Sequence, residues 1–329
     1  MSRRAVIQSI GHGLPSKIMT NADLEKIVDT SDEWIAQRTG IRERRICQGP
    51  NESTGSLALD AAKEALSRTD IAAEAIDLVV CGTVSGDFIW PSTACYVQDQ
   101  IGAKHAGAFD VSAACAGFIY ALANATAMIE TGQIDTAMVI GVDSLSKQVN
   151  WEDRGTCILF GDAAGAVILR GEENTDRGLL GTVLMSDGSG SKFICIDVGG
   201  SRYPFGSEQA IGKREKITMM GSEVYRFAIQ AMGDACVKVL DKLNMTSDEI
   251  DLFVPHQANL RIIESAAKRL ELPPEKVFLN VHKYGNTSAG SIPLALYEAE
   301  QEGRLKKGMN VMTVGFGAGL VWGANVIRW

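Results

Sequence analysis

The cysteine whose surroundings most suggest chemistry is Cys115, in the stretch DVSAACAGFIYAL (110–122). This stretch reads as a strand end followed by an apolar helix over about 115–132, with the sulfur at the helix N-terminus. Free N–H groups and the helix dipole at that position favour the thiolate, which is the nucleophilic form of cysteine. We therefore weigh a nucleophile equally against a buried core cysteine. The immediate neighbours are all small: Ala113, Ala114, Ala116 and Gly117.

Two polar side chains in the second half of the chain could assist such a nucleophile. His256, in DLFVPHQANL, follows an apolar run typical of a buried strand, which places its imidazole in a loop. Asn286, in YGNTSAGSIP, reads as a turn residue, and its amide could also donate a hydrogen bond to a developing oxyanion. We interpret the remaining histidines as structural or surface residues: His12, His105 and His282.

Cysteine, histidine and asparagine together allow two chemistries. In cysteine proteolysis the histidine deprotonates the thiol and the asparagine orients the histidine. In acyl transfer through a thioester, both side chains donate hydrogen bonds to an oxyanion. The papain-type signature C-G-S-C-[WY] is absent, which favours the second chemistry.

Composition limits the remaining classes of function. The chain has 329 residues and a formal net charge of −8, so wholesale binding of nucleic acid is not expected. No apolar run reaches the roughly 18 to 20 residues of a membrane span. The seven cysteines form no C-x-x-C pair, which argues against zinc and is typical of free thiols in a reducing cytosol. The glycine-rich stretch GFGAGLVWG (315–323) is not a G-x-G-x-x-G motif, so no nucleotide cofactor is indicated.

An internal repeat relates the two halves of the chain. The run Ile76-Asp77-Leu78 aligns with Ile250-Asp251-Leu252, and the same offset of 174 residues pairs Met138 with Met312. The offset carries Cys115 into the loop that holds Asn286. His256 falls after a strand of that same half. Loops at the carboxyl ends of strands are where layered α/β folds place their chemistry.

Each repeat reads as helix, strand, loop, helix, strand. In the first copy the helices span about 56–68 and 115–132 and the strands about 77–82 and 136–141, and the segment between the first strand and the second helix includes a short helix and a further strand near 106–111. Strands that are apolar throughout are buried on both faces, which predicts two sheets with helices between and outside them. A polar run near 171–177 divides the chain into halves 1–173 and 174–329, and residues 186–215 form a long Gly- and Ser-rich excursion.

At these residues the chain resembles the β-ketoacyl-acyl-carrier-protein synthase III family, the condensing enzymes that start type II fatty acid synthesis. The resemblance covers essentially the whole chain. It implies a thiolase-like α-β-α-β-α fold, a homodimer and no cofactor or metal. The stretches that carry it are TSDEWIAQRTGIRERRI, WPSTACYVQ, DVSAACAGFIYAL, DRGTCILFGDAAGAV, VPHQANLRI, YGNTSAGSIPLAL and GFGAGLVWG.

The resemblance also implies roles for the candidate residues. Cys115 takes an acyl group, usually acetyl, from an acyl-coenzyme A. Malonyl-acyl-carrier protein then loses carbon dioxide, and His256 and Asn286 stabilise the enolate that attacks the acyl-Cys. The backbone N–H groups of Cys115 and Ala318 hold the oxyanion; many relatives have glycine where Ala318 stands.

Coenzyme A and the carrier protein are expected to use further positions. By resemblance, Trp34 and Arg154 sandwich the adenine, and Arg38 contacts a phosphate. Gly221 and Asn259 match positions that contact pantetheine. Four basic residues are either a docking patch for the acidic carrier protein or ordinary solvated helix charges: Arg226, Arg261, Lys268 and Arg269.

Trp90 corresponds to the residue that reaches across the dimer and closes the partner's acyl pocket. Relatives often have phenylalanine there, so the larger indole predicts acetyl or similarly small primers. Three alternatives stay open: a quinolone- or polyketide-type condensing enzyme or acyltransferase, a non-catalytic acyl-CoA-binding partner, and a cysteine hydrolase. We expect a cytoplasmic protein that binds neither nucleic acid nor membrane.

Overall fold

The structure, a computed structural model, describes residues 3–329, and its strands form two large sheets and two short ladders. The strands are β1 Arg3–Gly13, β2 Lys17–Thr20, β3 Glu43–Ile46, β4 Leu78–Gly82, β5 Gly107–Val111, β6 Thr136–Ser144, β7 Asp162–Glu173, β8 Gly178–Ser186, β9 Ile194–Cys195, β10 Thr218–Met219, β11 Leu252–Pro255, β12 Asn310–Gly317 and β13 Val321–Arg328. The α-helices are α1 Asn21–Leu24, α2 Asp32–Thr39, α3 Thr54–Ser67, α4 Thr93–Gln100, α5 Gly117–Glu130, α6 Arg154–Cys157, α7 Gly221–Leu243, α8 Leu260–Arg269, α9 Val281–Tyr284 and α10 Ser291–Gln301.

The two large sheets share one strand arrangement. The first has the order β1-β7-β6-β4-β5 and is parallel across β6, β4 and β5. The second has the order β11-β12-β13-β8 and is parallel between β11 and β12. Phe253 of β11 also makes an isolated parallel bridge with Val277, in the place that β5 has in the first sheet. The equivalent strands therefore occur in the same spatial order.

The 174-residue offset holds for the first residues of three pairs of elements. It carries Leu78 of β4 onto Leu252 of β11 and Gly117 of α5 onto Ser291 of α10. It also carries the first residue of β6 onto the first residue of β12. The predicted repeat is confirmed at this level, whereas the division at residues 173 and 174 stays a prediction.

Both faces of the central strands are buried, as their apolar sequences predict. Along β4, Val79 and Cys81 pack with α3 and α4, and Leu78 and Val80 pack with α5 and α10. In the second sheet, Met312 of β12 packs with α7 and α8. Helices α5 and α10 thus lie between the sheets, and the predicted α-β-α-β-α layering is confirmed. No helix within residues 3–329 is long and apolar enough to cross a membrane.

The predicted helix over 115–132 begins two residues later than expected. Ala114 has φ 43°, in the left-handed region, and residues 114–116 form a short 3-10 turn before α5 starts at Gly117. A left-handed residue cannot belong to a right-handed helix, so Cys115 lies in the turn that leads into α5. The predicted excursion over 186–215 contains, apart from short turns, the two-residue strand β9.

Candidate active site

Cys115 is held in its turn by close approach to a strand of the other sheet. A side chain at Gly317 of β12 would place its Cβ 2.6 Å from the Cys115 backbone nitrogen. A Cβ at Gly315 would lie 3.2 Å from the Cys115 carbonyl oxygen. Glycine is therefore needed at Gly317 for the turn to rest on β12. Only 8% of Cys115 is exposed, and its small neighbours are buried with it.

The electrostatics of Cys115 differ from the sequence-based expectation. Burial raises the pKa of its thiol to about 12, and the nearby Asp143 carboxylate adds to this rise. Hydrogen bonds from the side chains of Ser288 and Asn286 act in the opposite direction. The prediction that the helix terminus favours the thiolate is wrong, because removal of the sulfur from water outweighs the local donors. At neutral pH the group is a thiol.

His256 directly follows β11, and its ring is buried and neutral. Burial lowers the pKa of His256 to about 3. Its Nδ1 lies 2.5 Å from the Oγ of Ser291, while its Nε2 is buried and has no partner among the described residues. Ser291 Oγ already receives the backbone N–H of Gln257 at 3.4 Å. We assign the hydroxyl hydrogen to the Ser291–Nδ1 contact, which leaves the ring hydrogen on Nε2.

Asn286 is fixed through both its backbone and its side chain. It follows Gly285, whose φ of 64° makes a turn after α9. Its backbone N–H donates to Leu159 O at 2.8 Å, and its carbonyl accepts from Gly161 N–H at 3.0 Å. Its side-chain Oδ1 accepts from Ser288 N–H at 2.9 Å, which identifies the other amide atom as the NH₂ group. That NH₂ group is the donor that lowers the pKa of Cys115.

One cavity brings the three sequence-predicted residues together. Its wall includes Cys115, His256 and Asn286, and Ala318 lies on the same wall. Gly221 and Asn259 also line this cavity, as do mainly apolar side chains. A thioester lying here would meet a sulfur, two neutral donors and few competing charges. The remaining lining residues are Leu159, Phe160, Ile194, Met219, Val224, Tyr225, Ala258, Ile262, Phe316, Gly317 and Leu320.

A second cavity, of about 420 Å³, also has Cys115 in its wall. The two cavities share four lining residues, so Cys115 lies where they meet. These residues are Cys115, Phe160, Ile194 and Ala318. The second cavity is lined mainly by apolar side chains, which suits the alkyl part of an acyl group. Trp90 does not line it; it is 82% exposed in a loop with Phe88 and Ile89, which are also exposed. The other apolar residues that line the second cavity are Val84, Ala114, Leu145, Ile196, Ile217 and Val321.

Trp34, Arg38 and Arg154 form one stack on the surface. The guanidinium carbon of Arg38 lies 4.2 Å from the Trp34 ring centroid, and that of Arg154 lies 4.7 Å from it. Arg154 also donates to Asp29 O at 2.8 Å. The three side chains are therefore neighbours, and both guanidinium groups lie against the Trp34 ring. Asn259 extends the cluster, since its Nδ2 donates to Arg38 O at 3.0 Å.

The four predicted docking residues are exposed on α7 and α8. Three of them already form an ion pair or a hydrogen bond within the protein. Arg226 pairs with Glu223 at 3.2 Å, and Arg269 with Asp234 at 3.5 Å. The Arg261 guanidinium donates to a backbone carbonyl of α2.

Sequence reasoning missed the side chains that orient the site. Ser288 and Ser291 lie in the same GNTSAGS stretch as Asn286. For Ser288, the 174-residue offset from the Cys115 turn could have indicated a place in the site. Ser288 is the equivalent of Ala114, and it too is left-handed, with φ 51°. Buried Asp143 accepts hydrogen bonds from Thr83, Val84 and Ser85, and burial raises the pKa of its carboxyl. Within residues 3–329, no group of three or more His, Cys, Asp or Glu side chains could hold a metal ion.

The comparison with known proteins agrees with this geometry. Residues 109–188 match the family described as 3-oxoacyl-[acyl-carrier-protein (ACP)] synthase III, and residues 240–329 match its C-terminal part. A curated β-ketoacyl-[acyl-carrier-protein] synthase III of Symbiobacterium thermophilum is 51% identical over 98% of this chain and 97% of its own length.

Solved structures extend the comparison to the fold. The crystal structure of 3-oxoacyl-[acyl-carrier-protein] synthase III from Aquifex aeolicus VF5 has a TM-score of 0.91 and 44% identity, covering 99% of this chain and 100% of that one. The priming β-ketosynthase from the R1128 polyketide biosynthetic pathway has a TM-score of 0.92 but 31% identity, over 99% of this chain and 96% of its own. The chain belongs to the β-ketoacyl-acyl-carrier-protein synthase III family and is an initiating condensing enzyme of type II fatty acid synthesis.

Proposed function

We propose that Cys115 carries the acyl group and that His256 and Asn286 stabilise the enolate formed from malonyl-acyl-carrier protein. The Cys115 sulfur attacks the thioester carbon of a short acyl-coenzyme A. The new C–S bond replaces the bond to coenzyme A, whose thiolate takes up the proton lost by Cys115. Because burial raises the pKa of the Cys115 thiol, the proton is lost as the new C–S bond forms rather than beforehand in the resting enzyme.

In the second step, the carboxyl group of malonyl-carrier protein leaves as carbon dioxide and its bonding electrons move to the thioester oxygen. Nε2–H of His256 and the NH₂ group of Asn286 donate to that oxygen. The enolate carbon then attacks the acyl-Cys carbonyl, the C–S bond breaks to release the Cys115 thiolate, and a proton from water restores the thiol. The unpartnered Nε2 of a neutral, buried His256 is the observation that supports this step most.

We propose that the backbone N–H groups of Cys115 and Ala318 hold the tetrahedral oxyanion. Ala318 lines both cavities next to Cys115. Alanine keeps the backbone donor that glycine supplies in many relatives.

Coenzyme A is assigned to the cavity that leads from Cys115. Gly221 and Asn259 would contact pantetheine, and the adenine would lie between Trp34 and Arg154 once Arg154 has moved away from the ring. Arg38 would contact a phosphate, for which a guanidinium is well suited. The exposed Arg226, Arg261, Lys268 and Arg269 are proposed as the docking patch for the acidic carrier protein, with Lys268 offering the least engaged charge.

We also propose a homodimer in which Trp90 closes the partner's acyl cavity and favours acetyl or similarly small primers. The exposed apolar run of Phe88, Ile89 and Trp90 supports this, because apolar side chains clustered at a loop tip mark interaction sites. We place the reaction in the cytoplasm, since none of the seven cysteines is paired in a disulfide. We expect no cofactor, and we retain the halves 1–173 and 174–329.

Product analysis tests this proposal. The enzyme is supplied with acetyl-coenzyme A and malonyl-acyl-carrier protein, and the carrier-bound product is identified by mass spectrometry. We expect a 3-oxoacyl-carrier protein with a new carbon–carbon bond, and none from Cys115→Ala. Hydrolysis of acetyl-coenzyme A without condensation would instead support a cysteine hydrolase.

A further inference from the structure

Arg44, on β3, is a buried cation whose hydrogen bonds all go to neutral oxygens. Its side chain is 0% exposed, and burial lowers the pKa of the guanidinium to about 10, so it keeps its charge at neutral pH. Among the described residues, Nη1 donates to Asn21 Oδ1 at 2.9 Å and to Met19 O at 3.4 Å. The Nε atom has no partner within residues 3–329. Burying a charge in this way is costly, so the contacts that the guanidinium makes need an explanation.

The other arm of the guanidinium leads to Asn286. Nη2 of Arg44 donates to Ile158 O at 2.7 Å. The next residue, Leu159, accepts the backbone N–H of Asn286, and Gly161 donates to the Asn286 carbonyl. Arg44 therefore holds one end of segment 158–161, and this segment holds the backbone of Asn286 on both sides.

Two glycines allow the aliphatic part of the Arg44 side chain to pack against the hydrogen-bonded pair formed by segment 158–161 and Asn286. A Cβ at Gly161 would lie 2.2 Å from Tyr284 O and 3.0 Å from Arg44 Cβ. Gly285 precedes Asn286, and a Cβ there would lie 2.7 Å from Leu159 O and 3.6 Å from Arg44 Cβ. The packing leaves little freedom for segment 158–161 to shift relative to β3.

We propose that Arg44 is a positioning residue for Asn286, acting through segment 158–161. Its guanidinium ties this segment to Asn21 and β3, and the segment in turn fixes where the Asn286 amide points beside Cys115. Small displacements of a donor at a reacting centre lower the rate strongly. The inference rests on the proposed role of Asn286 in the condensation step.

The test separates the two half-reactions in Arg44→Met, whose side chain fills similar space without charge. We expect the rate of Cys115 acetylation to fall less than the rate of condensation, because the Asn286 amide also donates to the Cys115 sulfur. The turnover number for condensation should fall about tenfold or more, with little change in KM for malonyl-carrier protein. Arg45→Met is the matched control, because Arg45 is the next residue on β3 and its one side-chain hydrogen bond among the described residues goes to Pro15 O at 3.4 Å. Equal losses in acetylation and condensation would overturn the proposal.

A double-mutant cycle shows whether Arg44 acts through Asn286. We expect the double variant Arg44→Met, Asn286→Ala to condense no more slowly than Asn286→Ala alone, since the aimed amide is already gone. Additive losses would contradict the proposal. If Arg44→Met does not fold, Arg44→Lys is measured by the same criteria. A wild-type rate for Asn286→Ala would overturn the proposed role of Asn286, whereas a normal rate for Arg44→Met beside an impaired Asn286→Ala would overturn only the role of Arg44.

Discussion

Ser291 Oγ and His256 Nδ1 lie 2.5 Å apart, although the two residues are 35 positions apart in the chain. Ser291 is the first residue of α10, one of the two helices between the sheets, so the central layer of the fold sets the orientation of the imidazole. By donating to Nδ1, the serine keeps the ring hydrogen on Nε2, which has no partner within residues 3–329.

Replacing Ser291 with alanine is expected to slow condensation while sparing acylation of Cys115. The imidazole loses the donor that selects its tautomer, and Nδ1 is left buried without a partner. Loss of one such hydrogen bond costs about 1–3 kcal/mol, or roughly 5- to 150-fold in rate. Rapid-quench measurement of each half-reaction checks this, with exposed Ser201→Ala as the control. Unchanged condensation in Ser291→Ala would mean that the hydroxyl does not orient the ring.

The raised pKa of Cys115 predicts how its alkylation depends on pH. Below its pKa, the thiolate fraction grows about tenfold per pH unit, so the rate with iodoacetamide should keep rising through about pH 9. Ser288→Ala should react more slowly at each pH, because the Ser288 hydrogen bond lowers the pKa of the thiol. Mass spectrometry of the Cys115 peptide gives both rates. A plateau near neutral pH would show instead that the resting enzyme holds a thiolate.

Trp34→Ala is expected to weaken the use of acetyl-coenzyme A. Stacking of a base on an aromatic ring contributes about 1–3 kcal/mol, so KM for acetyl-coenzyme A should rise about tenfold or more. Trp34→Phe, which keeps an aromatic face, should lose less. Condensation by enzyme that is already acetylated should be unaffected. Steady-state kinetics test the assignment, and an unchanged KM in Trp34→Ala would place the adenine elsewhere.

The size of the Trp90 side chain predicts that the enzyme accepts only short primers. Acylation with a graded series of acyl-coenzyme A chains should fall steeply beyond the shortest primers. Trp90→Phe should extend the usable range, because a smaller ring leaves more of the partner's cavity open. Trp90→Leu tests a side chain that is smaller again. Efficient use of octanoyl or longer primers by the unaltered enzyme would contradict the role given to Trp90.

Much of the fold could be predicted from patterns of residue type and spacing. Apolar strands, the 174-residue offset and the positions of Cys115, His256 and Asn286 were enough to predict two sheets, five layers and a shared site. The missed features depend on distant contacts. Arg44 meets Ile158 across 114 positions, and no local pattern marks that pair. The left-handed Ala114 and the burial that keeps Cys115 a thiol depend on packing against β12, a strand of the other sheet that is distant in sequence, so the residues around Cys115 do not show them.

The most direct test follows the mass of the intact enzyme through both half-reactions. After acetyl-coenzyme A is added, we expect one acetyl group on Cys115, and after malonyl-acyl-carrier protein is added, loss of that group as 3-oxoacyl-carrier protein forms. His256→Ala and Asn286→Ala should keep the acetyl mark and fail to discharge it. A wild-type enzyme that never acquires the mark, or variants that lose it, would contradict the account.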